Sequence, residues 1–334
     1  MKYFLKRLPS FPTQAAVVNG EPVKSIVKWG NFSALRIIFT NMNNKNILLP
    51  LLATLIAGWT EKGTAQPLPA TQSQPPVMPA AKTQVTLTVV NGVAGYQDTP
   101  LEPDGKWHVH DPARPQSRIV TSGPFSQNAT PPSDAIVLFD GKDLAQWRDK
   151  RTGEAAPWPI ADGVATSAKD DIVTTNEFGD LQLHLEFREP TPPSGTGQGR
   201  GNSGVYLMGR YEIQVLDCYD NKTYPDGATA AVYGQHPALV NACRPPGDWQ
   251  TYDIIFNVPH FDANGNLLTP GYVTVFHNGV VAQNHQAIRN DPPWHSSGGY
   301  APHGATGPLA LQFHKNSVSY RNIWVRPVAV DNEP

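Results

Sequence analysis

Apolar and polar residues alternate along much of the chain, a pattern typical of β-strands that bury one face. The clearest case is segment 181–187, LQLHLEF, in which every odd position is leucine or phenylalanine and every even position is polar. Similar alternation predicts further strands at 84–90, 211–217, 251–258, 309–314 and 321–326.

Turn signals separate these segments. Asn278-Gly279 lies between YVTVFH and VVAQNH, which predicts a two-residue hairpin. A short strand is also predicted at 107–110, inside a proline-rich stretch. No long segment has a helical period with caps. The pattern therefore predicts an all-β protein whose antiparallel strands form a sandwich or barrel in one domain.

The first 83 residues differ from this pattern. Segment 47–59, ILLPLLATLIAGW, is a short apolar run that follows Lys45 and precedes Gly63-Thr64-Ala65. This order indicates a signal peptide cleaved before Gln66, and the run is shorter than the roughly 20 residues of a membrane span. An internal buried helix is the alternative. We expect export to the periplasm or the medium.

Five regions follow from this interpretation. They are an over-extended start or disordered extension (1–41), a signal peptide (42–65), a proline-rich linker (66–83), N-terminal strands and a meander packed on the sandwich (84–134), and the sandwich itself (135–330). Translation from Met42 is one hypothesis, and a genuine extension upstream of the signal is the other.

Charge excludes one class of partner. The 334-residue chain has a net charge of -2, but residues 1–65 hold eight basic and two acidic residues, so residues 66–334 hold 18 and 26. The predicted mature chain is thus acidic, which argues against nucleic acid as its partner. Its two cysteines, Cys218 and Cys243, either form one disulfide or remain buried free thiols.

Long motifs in the second half resemble one known family. They are IVLFDGKDLAQW (136–147), GNSGVYLMGRYEIQVLD (201–217), YPDGATAAVYGQHPALVNACRPPGDWQTYDIIF (224–256) and RNIWVRP (321–327). They are similar to the 3-keto-disaccharide hydrolase domain. The resemblance implies a concanavalin A-like jelly-roll β-sandwich of two antiparallel sheets, with a polar concave face that holds sugar.

The implied substrate sets the chemistry that the site needs. In a 3-keto-glycoside the ketone acidifies the hydrogen on C2, so a base can form an enolate that expels the substituent on C1. The site needs a base, a group that stabilises the enolate oxygen and an acid for the leaving oxygen. The sequence has no nicotinamide-binding fingerprint, so a partner sugar 3-oxidoreductase would make the ketone.

Two residues are the candidates for proton transfer. Glu212 shares the non-core face of its strand with Gln214, and His314 shares the corresponding face of strand 309–314 with Gln312. Carboxylate and imidazole are both suitable bases. A solvated strand face explains the same pattern, but the resemblance favours a sugar-binding face. Glu186, Arg188 and His184 share another face, where a cross-strand salt pair is an equal explanation.

Candidate substrate-binding residues lie on the same strands and on loops of the predicted sandwich. They offer hydrogen-bond donors, acceptors or an aromatic ring for stacking on sugar. They are Arg200, Asn202, Gln214, Asp217, Tyr233, Asn241, Trp249, His277 and Gln312. A flexible inter-strand loop and a turn cap are the alternatives for Arg200 to Asn202 and for His277.

Evidence for a cofactor in the sequence is weak. His108 and His110 would point to one side of a strand, as metal ligands often do, but exposed residues on an added edge strand explain them more simply. No cofactor is otherwise indicated, and a divalent metal ion remains open. Two alternatives to the keto-sugar enzyme also remain: a non-catalytic, lectin-like carbohydrate-binding module, and a two-carboxylate glucanase, which Gln214 disfavours.

Overall fold

The computed structural model describes residues 17–18, 21–22, 84–289 and 299–328. The predicted extension, signal peptide and linker therefore lie outside the described residues, apart from two short strands, Val17–Val18 and Glu21–Pro22, which pair antiparallel. Among the described residues, no helix is long and apolar enough to cross a membrane.

One sheet has five antiparallel strands. Its order from edge to edge is Tyr211–Val215, Ser203–Leu207, Gly307–Leu311, Ile172–Phe178 and Trp147–Asp149. The first two strands form a hairpin in which Tyr206 pairs with Glu212 and Gly204 with Gln214. This register places the four residues on one face of the sheet.

The second sheet has eight antiparallel strands. Seven follow the order Val280–Ala287, Tyr272–His277, Gln250–Asn257, Leu181–Arg188, Ser319–Pro327, Val164–Thr166 and Ile160–Ala161, and Ile136–Phe139 also pairs with Ser319–Pro327. The hairpin around Asn278-Gly279 forms as predicted. The remaining strands form small pairs: Leu87–Val90 with Val93–Tyr96, His260–Phe261 with Leu267–Thr269, and Arg118–Ile119 in parallel with Val240–Asn241.

The core lies between the two sheets, because the apolar face of each strand turns inward. Leu183, Leu185 and Phe187 of the larger sheet join Val205 and Ile213 of the smaller one in a single buried cluster. The protein is thus an all-β, concanavalin A-like jelly-roll sandwich, as predicted. Two short 3-10 helices, Gly197–Gly199 and Pro225–Gly227, lie in the loops beside the smaller sheet.

Segment 107–110 is not a strand, and that prediction is wrong. His108 makes a single bridge to Leu101, and His110 has a φ of 62°, in the left-handed region that a strand does not contain. His110 is also fully buried, and its backbone N–H donates to Asp226 of a distant loop at 2.8 Å.

Candidate functional site

A cavity of about 590 Å³ opens on the face of the five-stranded sheet that points away from the core. Its floor comes from strands 203–207 and 211–215, and its walls come from loops 196–202 and 222–233 and from the hairpin 87–96. The lining is Leu87, Gly92, Ala94, Tyr96, Thr196, Gly197, Gln198, Asn202, Tyr206, Glu212, Gln214, Lys222, Thr223, Tyr224, Tyr233, Gln312 and His314.

Glu212 is the buried carboxyl group of this cavity, with 5% of its surface exposed. It fits against the backbone of Gly204, where an added Cβ would lie 2.4 Å from the carboxylate oxygen Oε1. Burial raises the pKa of Glu212 to about 8, and the nearby Asp171 acts in the same direction. Glu212 therefore exchanges a proton near neutral to mildly alkaline pH.

Tyr206 connects Glu212 to the next strand. Its hydroxyl is hydrogen-bonded to the Glu212 carboxylate, which lowers the Glu212 pKa and partly offsets burial. The same hydroxyl accepts a hydrogen bond from the Gln312 side-chain amide at 3.0 Å. Because burial and the Glu212 charge both raise the pKa of Tyr206, the phenol stays protonated and acts as a donor.

Gln198 organises the amide-rich side of the cavity. Its side-chain nitrogen donates to the Thr223 hydroxyl at 2.8 Å and to the Gly227 carbonyl at 2.7 Å. Its side-chain oxygen accepts from Gln214 at 3.1 Å and from Asn202 at 3.3 Å. These hydrogen bonds hold several amides in fixed orientations. Because their N–H groups are directed at protein acceptors, the side-chain oxygens are the atoms that can accept from hydroxyl groups of a ligand.

Two tyrosines form the back of the cavity. The hydroxyls of Tyr224 and Tyr233 lie 3.1 Å apart, and both rings pack on the His110 ring, with centroid distances of 4.2 and 4.8 Å. His110 Nδ1 lies 3.3 Å from a carboxylate oxygen of Asp226, and both side chains are fully buried. Burial opposes the charge of Asp226, but the interaction with His110 outweighs it and lowers the Asp226 pKa.

Six of the predicted site residues line this one cavity. Two of them, Gln312 and His314, lie just beyond strand Gly307–Leu311 rather than within it, and His314 is exposed at the rim. The set consists of Glu212, His314, Asn202, Gln214, Tyr233 and Gln312.

Arg200 and Asp217 lie outside the lining and bind each other. Arg200 Nε donates to Asp217 at 2.6 Å, and its terminal nitrogen donates to the Tyr219 carbonyl at 2.7 Å. This ion pair connects the loop before strand 203–207 with the loop after strand 211–215. Its position supports the cavity wall, and contact with a sugar remains a prediction for both residues.

Asn241, Trp249 and His277 also lie outside the lining. Asn241 donates to the Cys218 carbonyl at 3.0 Å. His277 is buried, and its Nε2 is hydrogen-bonded to Gln250 Oε1 at 2.8 Å. Trp249 packs under the guanidinium of Arg321, 4.0 Å from the ring centroid. These contacts hold loops and strands together, and a substrate role for the three residues remains a prediction.

The two candidate metal ligands of segment 107–110 face different surroundings. His108 Nδ1 contacts the Thr99 carbonyl, whereas His110 lies between two tyrosines and Asp226. Within the described ranges, no three His, Cys, Asp or Glu side chains converge as a metal-binding group. The predicted arrangement, both imidazoles on one side of a strand, is therefore wrong.

Several lining residues were missed in the sequence, among them Tyr206, Gln198 and Tyr224. Tyr206 had a usable signal, because alternation with Val205 and Leu207 assigns it to the polar face of its strand. Gln198 and Tyr224 lie in loops or beside short 3-10 helices, where no periodicity reports which way a side chain points. Cys218 and Cys243 are free thiols, the second of the two alternatives.

Comparisons with known proteins agree with the fold. A family model described as the 3-keto-alpha-glucoside-1,2-lyase-like domain matches residues 134–326. The chain is similar to a "putative glycosyl hydrolase" of Parabacteroides distasonis ATCC 8503 whose crystal structure is known. The two sequences are 46% identical, the alignment covers 64% of this chain and 93% of that chain, and the TM-score is 0.58.

A second "putative glycosyl hydrolase" from the same organism is 19% identical over 64% of this chain and all of that chain (100%), with a TM-score of 0.43. No curated protein matches the sequence. The family match confirms the resemblance carried by motifs 136–147, 201–217, 224–256 and 321–327. The chain belongs to the 3-keto-alpha-glucoside-1,2-lyase-like family.

Proposed function

We propose that this protein is a carbohydrate-active enzyme that cleaves 3-keto-glycosides, 3-keto-disaccharides among them, by proton abstraction and elimination. The observation that carries the proposal is Glu212, a buried carboxyl group with a pKa of about 8 on the floor of a polar cavity. The family and the 46%-identical relative support action on carbohydrate. The 3-keto specificity is our inference.

The reaction balances with groups of this chain. The Glu212 carboxylate takes the proton from C2, and the C2–H electron pair moves toward the ketone to give an enolate. The enolate then expels the oxygen on C1, which leaves with a proton and generates an unsaturated keto sugar. Addition of water to that product gives net hydrolysis.

Glu212 fits the part of the base better than that of one member of a glycosidase pair. Ordinary glycosidases place two carboxyl groups on either side of the scissile bond. Among the described residues that line the cavity, Glu212 is the only carboxylate. Elimination needs a single base, so this lining is suited to the keto-sugar reaction.

Other lining groups have the positions that the reaction needs. His314 at the rim can give a proton to the leaving oxygen, and Lys222 also lines the cavity. The amides of Asn202, Gln214 and Gln312 can bind sugar hydroxyls. The lining offers one carboxylate and one imidazole, fewer such groups than a protein site for a divalent ion usually uses, and the steps above use groups of this chain alone.

The proposal also has a cellular setting. Since the substrate must already carry a ketone, a sugar oxidoreductase has to act before this protein. We further propose that the protein is exported, with cleavage near Ala65. The acidic charge of residues 66–334 is compatible with neutral sugar ligands.

The deciding experiment incubates the purified protein with a 3-keto-disaccharide and with its unoxidised parent. We expect cleavage of the keto sugar alone, and loss of at least about a hundredfold in kcat in Glu212→Gln. His314→Ala tests the proton donor, and Glu154→Gln, an exposed carboxyl outside the cavity, is the matched control.

Two other outcomes of this experiment would each support a different function. Cleavage of both sugars would favour a glucanase, and binding without cleavage would favour a lectin-like module. Full activity in both Glu212→Gln and His314→Ala would overturn the assignment of the two residues. A parallel reaction with a chelator measures the contribution of a metal ion.

A further inference from the structure

The hairpin formed by Leu87–Val90 and Val93–Tyr96 gives the cavity one apolar wall. Its register pairs Leu87 with Tyr96 and Val89 with Ala94, so these four side chains share one face. Leu87, Ala94 and Tyr96 line the cavity, and Val89 continues the same face. The wall thus lines the same cavity as Glu212 and its amides.

The aliphatic side chains of this wall are largely exposed. Leu87 keeps 61% and Val89 keeps 64% of its surface accessible, while Val93 on the opposite face of the hairpin is buried. Exposed apolar surface that continues into a cavity indicates contact with a ligand.

The opposite face of the hairpin fixes it in place. Gly95 lies so close to segment 110–112 that an added Cβ would come within 2.4 Å of the His110 carbonyl oxygen. The Tyr96 N–H donates to that carbonyl at 2.9 Å, and His110 is itself held by Asp226. The wall is therefore anchored to the loop that carries Tyr224 and Tyr233.

The polar and the apolar parts of the lining suit two different parts of one ligand. The side-chain oxygens of Gln198, Asn202 and Gln214 can accept hydrogen bonds from the hydroxyls of a sugar ring. The side chains of Leu87, Val89 and Ala94 have no hydrogen-bonding groups, so hydroxyls of a second sugar against them would lose partners that water provides. An alkyl or aryl group would instead bury apolar surface there.

We propose that the hairpin wall binds the group attached to C1 of the sugar and selects glycosides with an apolar aglycone over disaccharides. This inference rests on the proposed function for the reaction, but the binding preference can be measured without turnover. Residues 84–133, which precede the family match, would then determine substrate preference while residues 134–326 carry the base.

The test compares methyl and hexyl glucosides, as both anomers. Their leaving oxygens are both alkoxides of similar chemistry, and the compounds differ in the length of the alkyl chain. Calorimetry gives Kd for the unoxidised compounds, and kcat/KM is measured for their 3-keto forms and for a 3-keto-disaccharide. We expect the hexyl compound to bind about tenfold or more tightly than the methyl compound. We also expect it to exceed the disaccharide in kcat/KM.

The double variant Leu87→Ser/Val89→Ser should bring the hexyl-to-methyl ratio of Kd to about one. Leu268→Ser, which changes a residue that is 63% exposed on another hairpin, is the control and should keep the wild-type ratio. Thermal unfolding of both variants checks that each remains folded.

Equal or unmeasurable affinity for both glucosides in the wild type would overturn the inference, and so would a preference that survives in the double variant. A clear preference for the keto-disaccharide would also overturn it. Failure of the proposed function would give a different result: no keto-sugar is cleaved, while the Kd ratio still reports on the wall.

Discussion

At the residue scale, the site depends on how three neighbouring side-chain positions share space. Gly204 has no side chain, Glu212 occupies the space over it, and Tyr206 holds the carboxylate from the side. Alternation in the sequence predicts that Glu212 belongs to the polar face of its strand. It does not predict complete burial, because burial depends on loops that fold over this face from elsewhere.

The protonation of Glu212 predicts a pH profile. The base works as a carboxylate, and burial raises its pKa to about 8. In the His314→Ala background, which lacks the proposed proton donor, kcat/KM should therefore rise with pH and level off above that value. In Tyr206→Phe the carboxylate loses the hydrogen bond that lowers its pKa, so the inflection should move to higher pH.

Tyr219→Phe, an exposed tyrosine outside the lining, should keep the wild-type inflection and is the control. The measurement is kcat/KM against pH for the three proteins, each in the His314→Ala background, with one 3-keto substrate. An activity that falls through the Glu212 pKa would show that its protonated form acts, which would contradict its assignment as the base.

The contact between Gly204 and Glu212 predicts the effect of one methyl group. In Gly204→Ala the new Cβ would lie 2.4 Å from Oε1, so the carboxylate has to move away from its position on the floor. We expect kcat to fall about a hundredfold, as a displaced base reacts poorly. Gly123→Ala, where a Cβ meets open space, should leave kcat and Tm near wild type.

At the element scale, the outer face of the eight-stranded sheet is covered rather than solvated. His184 and Glu186 on strand Leu181–Arg188 are fully buried. The Asn128 N–H and the Arg321 guanidinium both donate to Glu186, at 2.5 and 2.7 Å. Sequence alternation correctly assigned these polar residues to one face, and the cross-strand salt pair is present. Their burial by segment 125–130 had no local signal.

This network predicts the behaviour of the protein in acid. Burial opposes the charge of Glu186, but hydrogen bonds with His184, Asn322, Arg321 and Asn128 outweigh it and lower the pKa to about 2. The ionised group therefore stabilises the fold above its ordinary pKa of 4.5, and this contribution is lost as pH falls toward 2.

Between about pH 5 and pH 2, wild type should lose about 2 kcal/mol more unfolding free energy than Glu186→Gln, because the variant has no carboxylate to protonate. Urea unfolding at several pH values measures this difference, and Glu154→Gln, an exposed carboxyl, is the control. Parallel pH profiles for wild type and Glu186→Gln would contradict a stabilising role for the charge.

At the scale of the whole molecule, the sequence predicted what depends on local pattern. The sandwich, the hairpin at 278–279 and the face that holds Glu212 follow from alternation and turn residues. The error at 107–110 had a long-range cause, since His110 takes its left-handed conformation beside Asp226, 116 residues later. The walls of the cavity were unpredictable for the same reason, because they join segments that are distant in the chain.

Export is a prediction about the whole chain. We expect the protein recovered from the periplasm or medium to begin at Gln66, because Gly63-Thr64-Ala65 is the predicted cleavage site. N-terminal sequencing and intact mass of that fraction measure the start. Recovery of a chain that still carries residues 1–41 would contradict both the cleavage and the Met42 start.

The contact between His110 and Asp226 has a consequence for biogenesis. Synthesis proceeds from the N-terminus, so the hairpin with its exposed Leu87 and Val89 is made before the loop that anchors it. Asp226 lies 116 residues after His110, so until those residues have been added the hairpin lacks its docking partner. Until Asp226 has been made, a nascent chain of this design also leaves the opposite face of the hairpin, with Val93, without its cover, so both apolar faces are accessible to chaperones.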